Sequence, residues 1–191
     1  GGNHATAAAT GRYAGRKAAD YAKTAREPVV DRTQVETEKA RVYAPVNRED
    51  GIGWKELKAG LCRVMQDYCG EYKSEETLKI GLQWLAGIRE SEAAGAYARN
   101  PHELMRVLEC LTHITVGEVI MHASLARKET NPLLEFNRID YPETGNPAWD
   151  KFVTLRLEKR DVKVGELPFQ YYLRPPYAPT LEENYRKHCE L

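Results

Sequence analysis

Glutamate and histidine stand four apart twice in one stretch, Glu109 with His113 and Glu118 with His122. On a helix each pair shares a face, where carboxylate and imidazole can hydrogen-bond or form an ion pair. Carboxylate bundles that hold two metal ions use Glu-x-x-His, three apart, with further Glu on facing helices. The spacing here differs and the facing ligands are missing, so simple Glu–His pairs are expected and no metal site. The four cysteines, Cys62, Cys69, Cys110 and Cys189, include no C-x-x-C pair, which excludes a zinc ribbon or an iron–sulfur cluster. Cys62 and Cys110 fall near apolar helix faces and read as small buried hydrophobes rather than nucleophiles. No serine has a nucleophile-elbow context. No catalytic residue is assigned within the chain.

The other stretch able to do chemistry is the first. Gly1-Gly2-Asn3-His4-Ala5-Thr6 reads as a glycine turn entering a helix over residues 4–24, with small residues at 5, 7, 8, 9, 11, 14, 15, 18 and 19. Asn3 is the candidate N-cap. The start of such a helix carries unpaired N–H groups and a partial positive charge, a seat for an anion. It is not the G-x-G-x-x-G dinucleotide fingerprint, because no strand precedes it and the spacing differs. Two readings stand side by side: close packing of a small-residue helix on another layer, or one wall of a ligand site. The stretch as a whole leads to the expectation of a chain that begins in the middle of a larger cofactor-binding protein. The absence of an initiator Met and of a signal peptide agrees with a fragment or a processed chain.

The elements that must position these residues follow from periodicity. The chain has 191 residues, with Lys plus Arg and Asp plus Glu equal at 28 each. That balance gives no net field toward nucleic acid or an anionic membrane. Basic clusters at residues 12–23 and 156–163 are interrupted by acids and read as solvated helix faces. No apolar run is long enough to span a membrane, and reduced thiols point to a cytoplasmic protein. Glu27-Pro28 ends the first helix. Asp31 or Thr33 caps a segment over residues 34–43, and residues 44–53 form a loop. Trp54, Leu57, Leu61, Val64, Met65 and Tyr68 mark a helix that Gly70 stops. Ser74 caps the next, with Thr77 where a capping box prefers Glu or Gln, and its apolar face is Leu78, Leu82, Leu85 and Ile88. Asn100-Pro101 opens the longest helix. Its stripe runs Leu104, Val107, Leu108, Leu111, Ile114, Val119, Met121 and Leu125, fading at residues 127–130.

The fold class expected is mainly α, an antiparallel three-helix bundle preceded by the small-residue helix. Period-two alternation at residues 152–157 and 162–164, around Lys159-Arg160-Asp161, predicts a C-terminal β-hairpin. The Pro-rich tail at residues 173–179 reads as extended, lying on the protein's own surface or on a permanent partner. Trp54, Trp84 and Trp149 are expected as core or interface anchors.

Three segments in this order resemble the C-terminal third of flavoproteins of the fumarate reductase and succinate dehydrogenase class, and within it most the alpha subunit of adenylylsulfate reductase. The opening Gly2-Asn3-His4-Ala5-Thr6-Ala7-Ala8-Ala9-Thr10-Gly11-Arg12 resembles the last flavin-contacting turn. Leu61-Cys62-Arg63-Val64-Met65-Gln66-Asp67-Tyr68-Cys69-Gly70 with Ser74-Glu75-Glu76-Thr77-Leu78 resembles the start of the C-terminal helical domain. Ala126-Arg127-Lys128-Glu129-Thr130, Asp140-Tyr141-Pro142 and Trp149 resemble its close. The resemblance implies FAD as cofactor, with Gly2, Asn3, His4, Ala5 and Thr6 at the pyrimidine side of the isoalloxazine ring. There a helix N-terminus stabilises the negative charge that two-electron reduction leaves near N1 and O2. It implies an iron–sulfur electron-transfer subunit as partner and a small anionic substrate. It also implies residues 1–45 as the end of an FAD-binding domain, 53–131 as the helical domain and 132–191 as hairpin and tail. Asn131-Pro132-Leu133-Leu134 stands where dicarboxylate enzymes tend to carry Arg-Gly-x-His, which counts against succinate or fumarate. The chain alone is expected to be inactive and to bind FAD poorly. The other reading is a stand-alone helical interaction module without catalytic activity.

Overall fold

The computed structural model describes residues 2–158, 161–173, 175 and 180–188. It is mainly helical, 63% helix, with a small two-stranded antiparallel sheet near the C-terminus. The chain divides into two compact units, Gly1–Val35 with Gln170–Leu191, and Glu36–Phe169.

In the first unit, α1 (Gly2–Thr24) buries no residue. The helix starts two residues earlier than expected, so Asn3 lies within the first turn and is not its cap. Gly1, the other half of the expected glycine turn, lies outside the described residues. The basic cluster at residues 12–23 is carried on this largely exposed helix. The Pro-rich stretch lies mostly outside the described residues, as do Lys159, Arg160 and Cys189. After it comes α6 (Leu181–His188), which the sequence reading missed. Its signals are ordinary ones: the Thr180 hydroxyl accepts the Glu183 N–H at 3.2 Å, and Glu182 and Glu183 occupy the first turn.

The second unit carries the core. Helix α2 (Arg32–Tyr43) begins in the first unit and ends in the second; the carboxylate of Asp31 just before it accepts the Thr33 and Gln34 N–H groups at 2.9 and 3.2 Å, so Asp31 rather than Thr33 is the cap. A 3-10 turn, Ala44–Asn47, follows and buries Pro45. Three helices then pack each against the other two: α3 (Trp54–Cys69), α4 (Glu75–Glu90) and α5 (Pro101–Ala126). Leu57, Leu61 and Val64 face Leu78, Leu85 and Ile88, and both rows meet Val107, Cys110, Ile114 and Met121.

Two glycines set how closely these helices approach. A Cβ at Gly81 would sit 2.7 Å from Met121 Cε and 2.8 Å from Tyr68 Cβ, and one at Gly117 would sit 3.0 Å from Met65 Sδ. The Ser74–Thr77 capping box forms with Thr in the Glu position. The Thr77 hydroxyl accepts the Ser74 N–H at 2.9 Å, and the Ser74 hydroxyl accepts the Thr77 N–H at 3.2 Å. Gly70 stops α3 in extended backbone, where a Cβ would meet Gln66 O at 2.9 Å.

The stripe of α5 needs one correction. Val119 is 49% exposed, and the buried row continues instead through Gly117, Met121 and Ser124. The loop between α4 and α5 contributes buried Ala93, Ala96 and Ala98, which periodicity does not detect. Trp84, expected as an anchor, is 54% exposed.

A short parallel pair, β1 (Tyr72–Lys73) with β2 (Asn137–Arg138), is also absent from the sequence reading, because two-residue strands show no period. The hairpin is present as β3 (Lys151–Glu158) and β4 (Asp161–Pro168), paired from Lys151↔Pro168 to Glu158↔Asp161. The described basic residues of the second cluster, Arg156 and Lys163, therefore lie opposite each other on strands and not on a helix face.

Candidate functional site

Gly2, Asn3, His4, Ala5 and Thr6 occupy the first turns of α1, all exposed. The first four N–H groups of a helix have no acceptor within it. No acidic residue lies in that turn, and a Cβ added at Gly2 would meet nothing within 4 Å. The donor set is thus backbone N–H groups, the Asn3 amide, the His4 imidazole and the Thr6 hydroxyl, with no carboxylate to repel an electron-rich group. These donors fit the edge of a flavin ring. Nothing in α1 itself walls off that edge from water.

The Glu–His pairs do not form as pairs. Arginines outcompete the imidazoles, because a guanidinium is always charged and binds a carboxylate through two parallel N–H groups. Glu118 accepts Arg89 Nη2 at 2.6 Å and Nε at 3.2 Å, and Glu109 accepts Arg106 Nη1 at 2.8 Å. Among the described residues no group of three metal-ligating side chains comes together. Cys110 is buried and its thiol is pushed up by burial. Cys62 is exposed, one position off the buried row of α3, which corrects the expectation for it.

The densest polar constellation is one the sequence did not reveal. Arg138 is 1% exposed, and Lys73, its register partner across the β1–β2 pair, is 5% exposed. Two buried cations side by side need compensation. Arg138 Nε and Nη2 donate to the two Asp140 oxygens at 2.8 Å each. Its Nη1 donates to the carbonyls of Ser124 and Arg127, at the end of α5. Asp140 also accepts the Glu75 N–H at 2.8 Å, in the first turn of α4. The Arg138 hydrogen bonds hold the Asp140 carboxyl down to about 2. Lys73 donates to Glu71 O at 3.0 Å and lies over the Phe136 ring at 4.6 Å. Burial is the main cause that lowers its pKa, with Cys69 opposing and Arg138 adding to it. The Thr130 hydroxyl stitches the turn, accepting the Arg138 N–H at 2.9 Å and donating to Tyr141 O. This joint ties the start of α4 to the end of α5. Every group in it is spent on another protein group, so it positions helices rather than binding a ligand.

Around Trp149, a second joint anchors the hairpin. Arg127 donates to Lys151 O at 2.7 Å and to Glu129 at 2.8 Å, and stacks over the Trp149 ring at 5.4 Å. Lys151 covers the same ring at 4.6 Å.

A family model described as the fumarate reductase flavoprotein C-terminus matches residues 58–181. The fumarate reductase flavoprotein subunit of Escherichia coli (strain K12) is 24% identical over 176 residues, covering 83% of this chain and 29% of that protein. Among solved structures, the apo Sdh1 complex of Mycobacterium smegmatis aligns with a TM-score of 0.69 and 21% identity, over 91% of this chain and 30% of that one. The quinol fumarate reductase of E. coli aligns with a TM-score of 0.67 and 20% identity, over 85% and 29%. The structural likeness shows the shared fold, and this chain spans less than a third of the length of these relatives. The match over residues 58–181 decides the family: the chain belongs to the C-terminal region of the fumarate reductase and succinate dehydrogenase flavoproteins, a family that carries FAD.

Proposed function

We propose that this chain is the C-terminal part of an FAD-dependent oxidoreductase subunit, in which the start of α1 forms one wall of the flavin site. The observation that carries the reading is the family match, with a carboxylate-free helix N-terminus ahead of it in the chain. Gly2, Asn3, His4, Ala5 and Thr6 are the residues that face the ring. FAD supplies the two-electron chemistry. The chain's own part is to hold unpaired N–H groups and the α1 dipole where negative charge develops, which favours the reduced form. Residues 1–45 close the flavin-binding domain, the three packed helices form an antiparallel bundle that acts as scaffold over residues 53–131, and residues 132–191 provide the hairpin and tail. The intact protein exchanges electrons with an iron–sulfur subunit in the cytoplasm.

The substrate is a small anion of the adenylylsulfate type. Support comes from Asn131-Pro132-Leu133-Leu134, which replaces the basic run of the dicarboxylate enzymes and forms a short exposed turn. The intact protein, gently purified, is expected to show flavin absorbance and to be reduced by an iron–sulfur donor. A flavin-free protein overturns the reading. Asn3→Asp puts a carboxylate in the first turn and is expected to lower the flavin potential by about 20 mV. An unchanged potential removes α1 from the site.

A further inference from the structure

A groove of about 700 Å³ lies between the 3-10 turn at Ala44–Asn47, the end of α4 and the middle of α5. Its floor is apolar, from Pro45, Ala93, Leu108 and Leu111. Three arginines line it, Arg41, Arg48 and Arg89, and no acidic side chain does. Two of them are neutralised from outside the groove. Arg41 holds Glu38 through Nε and Nη2, and Arg89 holds Glu118.

Arg48 differs. It is half-buried, and Nη1 donates to Ala96 O at 2.5 Å. That bond pins the guanidinium but leaves its charge unopposed, because among the described residues no carboxylate pairs with Arg48. The Thr112 and Thr115 hydroxyls, which also line the groove, donate to Leu108 O and Leu111 O, and Thr115 accepts Arg89 Nη2 at 3.2 Å. The groove size is that of a small-molecule site.

We propose that this groove binds a small organic monocarboxylate with an apolar body. The carboxylate takes the free N–H groups of Arg48, which suit planar two-point recognition. The body lies on Pro45, Ala93, Leu108 and Leu111. One unopposed positive charge calls for one negative charge, which selects a monocarboxylate over a polyanion. The site stands apart from the flavin reading and does not depend on it.

Saturation-transfer NMR on the intact protein tests this with benzoate as probe, and with acetate and benzyl alcohol as charge-only and body-only controls. Benzoate is expected to bind, and each control about tenfold more weakly. Arg48→Gln is expected to weaken benzoate about tenfold. Because Arg48 also holds the loop at Ala96, Thr112→Glu provides a variant at an exposed helical position. It puts a carboxylate among the residues that line the groove and is expected to abolish the benzoate signal. Benzyl alcohol binding as well as benzoate, unchanged benzoate binding in Thr112→Glu, or no benzoate binding to the intact wild-type protein overturns the proposal.

Discussion

The helices α1 and α5 are of similar length, 23 and 26 residues, and opposite in character. α5 buries seven residues and packs against both α3 and α4. α1 buries none. The difference lies in side-chain size and spacing. The apolar residues of α5 recur at three- and four-residue steps and create a stripe that only tertiary packing can satisfy. Alanine and glycine give α1 a surface with little to bury, suited to an approach by something flat. One helix is stabilised by its neighbours, the other by its own backbone.

The largest effect expected falls on the joint that holds α5 in place. Arg138→Met leaves Asp140 and the carbonyls of Ser124 and Arg127 without their donor, and should cost about 3–5 kcal/mol, read by urea unfolding. Ile114→Ala removes a fully buried side chain from the α5 row and should cost about 3 kcal/mol by the same measurement.

Acid should separate the two helices. Asp140 has its pKa depressed from 3.8 to about 2 in the folded state. Its contribution is therefore complete above the unfolded value and is lost as pH falls from there through about 2. Unfolding midpoints should drop over that window, and Asp140→Asn should flatten the drop.

On α1 the sign reverses. A Cβ at Gly11 or Gly15 meets nothing within 4 Å, so each change to Ala should add about 1 kcal/mol of helix stability in this chain, seen as raised helicity. If α1 lies on a flavin domain in the intact protein, the same substitutions should weaken flavin retention there. A gain in both settings would break the contrast. The smallest effect is Arg63→Ala on the exposed face of α3. Its ion pair with Asp67 is solvated and should cost at most about 0.5 kcal/mol in thermal melts.

The long helices were legible because a 3.6-residue period is written into Leu57, Leu61 and Val64, and into Leu104, Val107 and Ile114. Caps were legible where a single residue carries them, as at Ser74 and Asn100. The Glu118–His122 pair failed as a reading because its competing arginine is distant, Arg89 reaching Glu118 across 29 residues, whereas Arg106 competes for Glu109 from three residues away on the same helix. Likewise Lys73 and Arg138 show nothing as a pair until β1 and β2 lie side by side.

By itself the sequence determined the apolar stripes of α3 and α4 and most of that of α5, the starts of α4 and α5, the hairpin, and a small-residue first helix with no acid in its first turn. These are local properties, set by side-chain spacing and backbone propensity. Only the tertiary structure decided which cations are buried, which carboxylates compensate them, and that Arg48 stands pinned but unopposed above an apolar floor. Charge compensation depends on distances between residues far apart in the chain, and no local pattern encodes those distances.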